Sequence, residues 1–149
     1  MMTLYRYPIP PKQAWRPKLQ RVKPQPDTDE PLTGQVQGKD ASDLEEMLAR
    51  AMSKDRRVDW YRFQVHYGGL PNTSTAIELD FLVKAGALYS IQVDGEWIHK
   101  SAETREHDRI QDARLDEILI PQGVRPTQRV KMTGRETQED VNTIEERLF

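Results

Sequence analysis

Two aspartates interrupt apolar sequence in the middle of the chain. Asp80 stands between Leu79 and Phe81, and Asp94 follows Gln92 at the end of a second alternating run. A carboxylate inside a strand must be paired or bind a metal when it is buried. Because adjacent strands lie about 4.8 Å apart, the side chains of Asp80 and Gln92 can converge on one ion. Hard cations such as Mg²⁺ or Mn²⁺ prefer oxygen ligands, so the pattern indicates a candidate metal site, with an exposed face of ordinary polar residues as the alternative.

The elements that position these residues are predicted from capping signals and periodicity. Ser42 and Glu45 form a capping-box pattern, and apolar residues at helical spacing follow as far as Lys54–Arg57. Alternation predicts strands at 60–67, 77–83 and 89–94, with Ile77, Leu79, Phe81 and Val83 on one face. A charged helix at 101–119, a strand at 129–132 and a helix at 138–148 complete the order. The order α-β-β-β-α-β-α over residues 40–149 predicts an α/β (α+β) domain.

The first 26 residues differ in composition from the rest of the chain. They contain six basic residues, no acidic residue and six of the ten prolines, together with Tyr5, Tyr7 and Trp15. Proline removes main-chain donors and favours extended conformations, so residues 1–39 are predicted to be an extended basic arm and linker preceding a domain at 40–149. Such an arm is either a solvated tail or a segment that docks on nucleic acid or on a protein partner.

Composition restricts the class of protein further. The chain has no cysteine, which excludes a disulfide scaffold, thiolate zinc sites and a cysteine nucleophile. No apolar run approaches the roughly 20 residues that span a bilayer, and no signal-peptide pattern follows the first residues. We therefore expect a soluble cytoplasmic protein, of cellular or of phage or viral origin, without a membrane partner.

Five elements in order resemble a known nuclease superfamily. They are Glu45–Leu48, Arg62–Gln64, Leu79–Phe81, Gln92–His99 and Asp108–Leu115. The ordered set resembles the very-short-patch-repair-type branch of the PD-(D/E)XK nuclease-like superfamily and covers about half of the chain. The resemblance implies a restriction-endonuclease-like mixed sheet flanked by helices, with a divalent-metal site where two central strands diverge.

The resemblance also implies roles for individual residues. Asp80 would be the principal metal ligand, and Gln92 would stand where the family has a second acidic ligand. Asp94 occupies a position often held by lysine. Glu45 would reach in from the first helix, and His99 would assist with water or phosphate, although a lone histidine is also typical of an ordinary surface. The bound ion would activate water for attack on a phosphodiester.

A nuclease would also need basic residues that contact DNA phosphates. Residues 27–149 carry a net charge of −8, so these contacts must come from the arm and from local basic side chains. The candidates are Arg6, Lys12, Arg16, Lys18, Arg62 and Arg109, with Arg105, Arg114, Arg125, Arg129 and Lys131 as further basic groups. The alternative for each of them is a solvated surface position or a local ion pair.

Three hypotheses follow from the sequence. The first is a small endonuclease that hydrolyses DNA with Mg²⁺ or Mn²⁺. The second is a catalytically inactive protein of nuclease-like fold that serves a larger, viral or other assembly and is anchored through residues 1–39. The third is a nucleic-acid-binding protein without catalysis, for which strong salt dependence would be characteristic.

Overall fold

A computed structural model describes Gln25 and residues 30–67 and 77–149. The elements are β1 (Gln35–Val36), β2 (Lys39–Asp40), α1 (Asp43–Lys54), β3 (Trp60–Tyr67), β4 (Ile77–Ala85), β5 (Ala87–Asp94), α2 (Ala102–Leu119), β6 (Gln128–Lys131) and α3 (Gln138–Glu146). Short 3₁₀ turns occur at Trp97–His99 and Ile120–Gln122. The order predicted for residues 40–149 and the mixed α/β class are both confirmed. Within these described ranges, no helix is both long and apolar enough to cross a membrane.

Four strands form one mixed sheet in the order β3-β4-β5-β6. The first three are antiparallel neighbours, and β6 runs parallel to β5. On one face, α1 and α3 cover a core cluster that includes Leu48, Met52 and Val141. On the other face, Leu115 and Leu119 of α2 pack in a second cluster. The sheet is therefore flanked by helices on both sides, and the hairpin of β4 and β5 has no open face among the described elements.

The first helix begins where the sequence predicts. The Ser42 side chain accepts from the main-chain N–H of Glu45, and the Glu45 carboxylate accepts from the N–H of Ser42 at 2.8 Å. This reciprocal pair satisfies two amides that have no partner within the helix, so the predicted capping box is confirmed.

In both β3 and β4, the regular alternation of side chains between the two faces of the sheet is interrupted at the same level. Gln64 has φ +52°, in the left-handed region, and it lies opposite Asp80 between the paired positions Phe63–Phe81 and Val65–Leu79. The apolar residues on the two sides of this point pack in different core clusters: Tyr61, Phe63, Phe81 and Val83 with α1 and α3, and Val65, Tyr67, Ile77 and Leu79 with α2. The prediction that Ile77, Leu79, Phe81 and Val83 share one face is therefore wrong, because simple alternation assumes regular strand backbone.

The segment just before the first helix packs against that helix. Glu46, which is fully buried, accepts hydrogen bonds from the N–H of Thr33 and of Gly34, each at 2.8 Å. Arg50 donates to the carbonyls of Glu30 and Pro31 at 2.7 and 2.8 Å. The composition of residues 30–39 predicted a linker, but two buried charged side chains of α1 fasten its first part to the domain.

The β1–β2 hairpin lies along the outer edge of β3. Gln37 donates to the carbonyl of Tyr61 and accepts from the N–H of Phe63, at 2.8 and 3.0 Å. Lys39 Nζ donates to the carbonyls of Phe63 and Gln64 at 3.0 and 3.1 Å. These side chains occupy main-chain groups that an edge strand otherwise leaves unpaired, while Val36 is buried in the core beneath them.

Candidate metal site and nucleic-acid surface

The sheet divides at Asp80 and Gln92. The pairing of β4 with β5 runs from the turn as far as Phe81 and Ile91, and it stops there. Beyond this point β4 continues beside β3, whereas β5 continues beside β6 as far as Asp94. The two side chains named by the sequence therefore lie together where two central strands separate.

The two side chains replace the missing main-chain ladder with hydrogen bonds of their own. Gln92 Oε1 accepts from the N–H of Asp80 at 2.8 Å, and Gln92 Nε2 donates to the carbonyl of Glu78 at 3.1 Å. Asp80 Oδ2 accepts from the N–H of Val93 at 2.8 Å. We call this arrangement the Asp80–Gln92 clasp. An amide suits it because its oxygen accepts from one main-chain group of β4 while its nitrogen donates to another.

The Asp80 carboxyl lies in an environment that disfavours its charge. Burial raises the pKa of Asp80 to about 7, although the hydrogen bond from Val93 opposes this rise. The nearby charges of Glu45 and Glu78 raise it further, and Arg129 opposes them. At neutral pH a large fraction of Asp80 is therefore protonated, and a protonated carboxyl is a poor ligand for a divalent cation.

Asp94 belongs to a different set of contacts. It is buried, and its Oδ2 lies 3.0 Å from Lys100 Nζ and 3.9 Å from a guanidinium nitrogen of Arg129. Lys100 also donates to Asp108, and Arg129 forms two hydrogen bonds with Asp112 at 2.6 and 2.9 Å. Burial opposes the charge of Lys100, but the hydrogen bonds to Asp108 and Asp94 outweigh it and raise the pKa of the lysine. These ion pairs link β5 and β6 to α2.

The other two predicted site residues do not complete a metal site. The Glu45 carboxylate caps the first helix through Ser42, as described above. His99 is exposed at the end of a 3₁₀ turn. Among Gln25 and residues 30–67 and 77–149, no three aspartate, glutamate or histidine side chains form a group that could hold a metal ion.

The donor set of this conformation does not suit a divalent cation. Gln92 Oε1 and Asp80 Oδ2 both accept main-chain hydrogen bonds, and Asp94 is held by cations. A hard cation prefers several free oxygen ligands, carboxylates above all. In this conformation, the hydrogen bonds that close the gap between β4 and β5 use part of the ligating capacity of Asp80 and Gln92.

Two of the six predicted nucleic-acid-binding residues, Arg62 and Arg109, lie within the described residues. Arg109 is exposed on α2 and pairs with Glu106 one turn earlier. Arg62 is partly buried on β3, and burial lowers its pKa. Arg6, Lys12, Arg16 and Lys18 lie outside the described residues.

Two of the further basic residues named from the sequence, Arg105 and Lys131, lie against Trp97. The guanidinium of Arg105 and the ammonium of Lys131 lie 4.2 and 4.0 Å from the centroid of the Trp97 ring. Beside them is a surface cavity of about 450 Å³ between the first half of α2 and the end of β6. Lys131 is distant in sequence from Trp97 and Arg105, so no spacing rule brings the three residues together.

Comparison with protein-family models, with curated proteins and with solved structures found no match to this chain.

Proposed function

We propose that this chain is a non-catalytic, nucleic-acid-binding component of a larger assembly, built on a nuclease-like fold. The observation that carries the proposal is the Asp80–Gln92 clasp. Both side chains at the position of the expected metal site are used to hold two diverging strands together. A site whose ligands are already bonded to the main chain and whose carboxyl is partly protonated at neutral pH supports a structural role.

The composition of the arm supports the binding part of the proposal. Residues 1–26 concentrate six basic side chains without a single acidic one, while residues 27–149 are net negative. Lys and Arg in an extended segment can neutralise phosphates, and aromatic side chains among them can stack on bases. We propose that the arm anchors the protein to nucleic acid, in a cytoplasmic or phage-borne assembly.

A metal-dependent endonuclease is the second candidate, and the position of Asp80 favours it. A carboxyl with a strongly raised pKa at the point where two central strands diverge is typical of functional sites as well as of structural ones. In this alternative the ion would share the oxygens of Asp80 and Gln92 with the main-chain hydrogen bonds of the clasp.

The two candidates are separated by supercoiled-plasmid nicking with Mg²⁺, Mn²⁺ or EDTA, with binding followed on a gel at several salt concentrations. We expect no metal-dependent nicking by the wild-type protein and a plasmid shift that weakens as salt increases. Asp80→Asn should shift the plasmid equally well. Metal-dependent nicking that this substitution abolishes would overturn the proposal in favour of the endonuclease. The absence of any shift would overturn the nucleic-acid-binding role itself.

A further inference from the structure

We propose that the cleft beside Trp97 binds a backbone phosphate of nucleic acid, an inference that rests on the proposed function and extends it from the arm to the folded domain. The Trp97 cleft is the cavity of about 450 Å³ bordered by the Trp97 ring, by three acidic side chains and by the basic residues Arg105, Arg109, Arg129 and Lys131. None of its residues takes part in the Asp80–Gln92 clasp.

The ring of Trp97 contacts two positively charged side chains. Arg105 approaches the ring centroid to 4.2 Å and Lys131 to 4.0 Å. An indole attracts a cation through its quadrupole, and this attraction compensates part of the repulsion between the two. Arg105 is fixed further by a hydrogen bond from its Nη2 to the carbonyl of Trp97 at 2.8 Å. Both side chains are thus positioned before any ligand arrives.

The other charges of the cleft are already paired, and these two are not. Arg129 is bonded to Asp112, Arg109 to Glu106, and Asp108 to Lys100. Across the described ranges 30–67 and 77–149, neither Arg105 nor Lys131 forms an ion pair with a carboxylate. In addition, Arg105 Nε is shielded from solvent and has no hydrogen-bond acceptor among these residues.

Two unpaired cations beside an open cavity favour an anionic ligand. A phosphate diester shares its negative charge between two oxygens, and these accept hydrogen bonds from ammonium and guanidinium groups such as those of Lys131 and Arg105. Its charge would reduce the repulsion between the two side chains. Because backbone phosphates carry no sequence information, a cleft that binds one should not distinguish one base from another.

The test compares charge-removing variants by fluorescence anisotropy with a short labelled DNA duplex, using the full chain. Arg105→Gln and Lys131→Gln remove one cleft cation each, whereas Arg56→Gln removes an exposed cation at the other end of the domain, after α1. We expect each cleft variant to bind about tenfold more weakly at low salt. The slope of log K against log salt should fall by about 0.9 for each, since one phosphate contact is lost. Arg56→Gln should match the wild type in both quantities.

Three results would overturn the inference, and they have different meanings. If the wild type binds DNA but the cleft variants keep its affinity and salt slope, the cleft is not a phosphate site and the proposed function stands. If the wild type binds no DNA, the proposed function and this inference both fail. Calorimetric titration of the protein with inorganic phosphate identifies the third result. Arg105-dependent binding of free phosphate, with DNA affinity unchanged in the variants, would mean that the ligand is a small anion. Lys131 is exposed, so its variant should fold even if Arg105→Gln loosens α2.

Discussion

Replacing Asp80 with asparagine should stabilise the folded protein above neutral pH. The pKa of Asp80 is raised to about 7 in the folded state, above the ordinary aspartate value that applies after unfolding. As pH rises between these two values, the unfolded chain loses its proton first. The wild type therefore loses stability over this window, and the loss is complete above pH 7. Asparagine stays neutral and keeps an oxygen that can accept from the N–H of Val93, so the variant escapes the loss.

The size of the effect follows from the width of that window. A pKa difference contributes about 1.4 kcal/mol per unit, which gives an upper limit of about 4 kcal/mol for Asp80. The side chain is only partly shielded from solvent, so screening reduces this limit and we expect about 1–3 kcal/mol at pH 8. At pH 4 the two proteins should differ little, because the carboxyl is then protonated in the folded state and the unfolded chain is only half ionised.

Urea unfolding from pH 4 to pH 9 measures the difference directly. Asp59→Asn makes the same chemical change at an exposed position and should leave the stability difference from the wild type independent of pH. An Asp80→Asn protein that is no more stable than the wild type at pH 8 would refute the assignment of a buried, partly protonated carboxyl. A rise in wild-type stability on adding Mg²⁺ that the variant lacks would refute the structural reading of the clasp.

Two further substitutions test other buried polar contacts. Gln92→Glu restores the residue type expected of a metal ligand but removes the amide donor to β4, so it should cost about 1–3 kcal/mol in urea unfolding and should not create nicking activity. Gln111→Glu on α2 is its control, and equal stability of the two variants would contradict the clasp. Glu145→Gln should raise stability at pH 9 by at least about 1 kcal/mol, because burial and a hydrogen bond with Asp55 raise the pKa of Glu145 to about 8 and the wild type loses stability as pH rises toward that value. Thermal unfolding of Glu146→Gln, an exposed neighbour, is the comparison, and the same gain there would argue for a general charge effect.

Local signals in the sequence were sufficient to predict most helices and strands of the fold. The capping pair of Ser42 and Glu45 marks the start of α1, and the strand Trp60–Tyr67 was predicted with its observed bounds. The β1–β2 hairpin was not predicted, because each strand has two residues and the hairpin is attached to β3 by the side chains of Gln37 and Lys39. The segment before it is held by Glu46 and Arg50 of α1, which form a buried ion pair. In the sequence, Glu46 and Arg50 cannot be distinguished from an exposed pair of charges one helical turn apart, although both are buried in the structure.

The proximity of Asp80 and Gln92 could be predicted from the sequence, whereas their hydrogen bonds to the main chain could not. The spacing between strands and the alternation of side chains along each strand placed Asp80 near Gln92, and the structure brings them together. Alternation along a strand does not reveal that β4 and β5 separate at this level. Their separation leaves main-chain groups that the two side chains satisfy. The left-handed backbone of Gln64, which is not a glycine, gave no sequence signal either.

The hairpin beside β3 has a consequence for solubility. Gln37 and Lys39 occupy the outward main-chain groups of Tyr61, Phe63 and Gln64, which would otherwise be free to pair with a strand of another molecule. An uncovered edge of this kind promotes strand-by-strand aggregation. A chain cleaved just before α1 would keep its sheet but lose this cover. Proteolysis of the N-terminal region should therefore convert a dispersed protein into one that self-associates through β3.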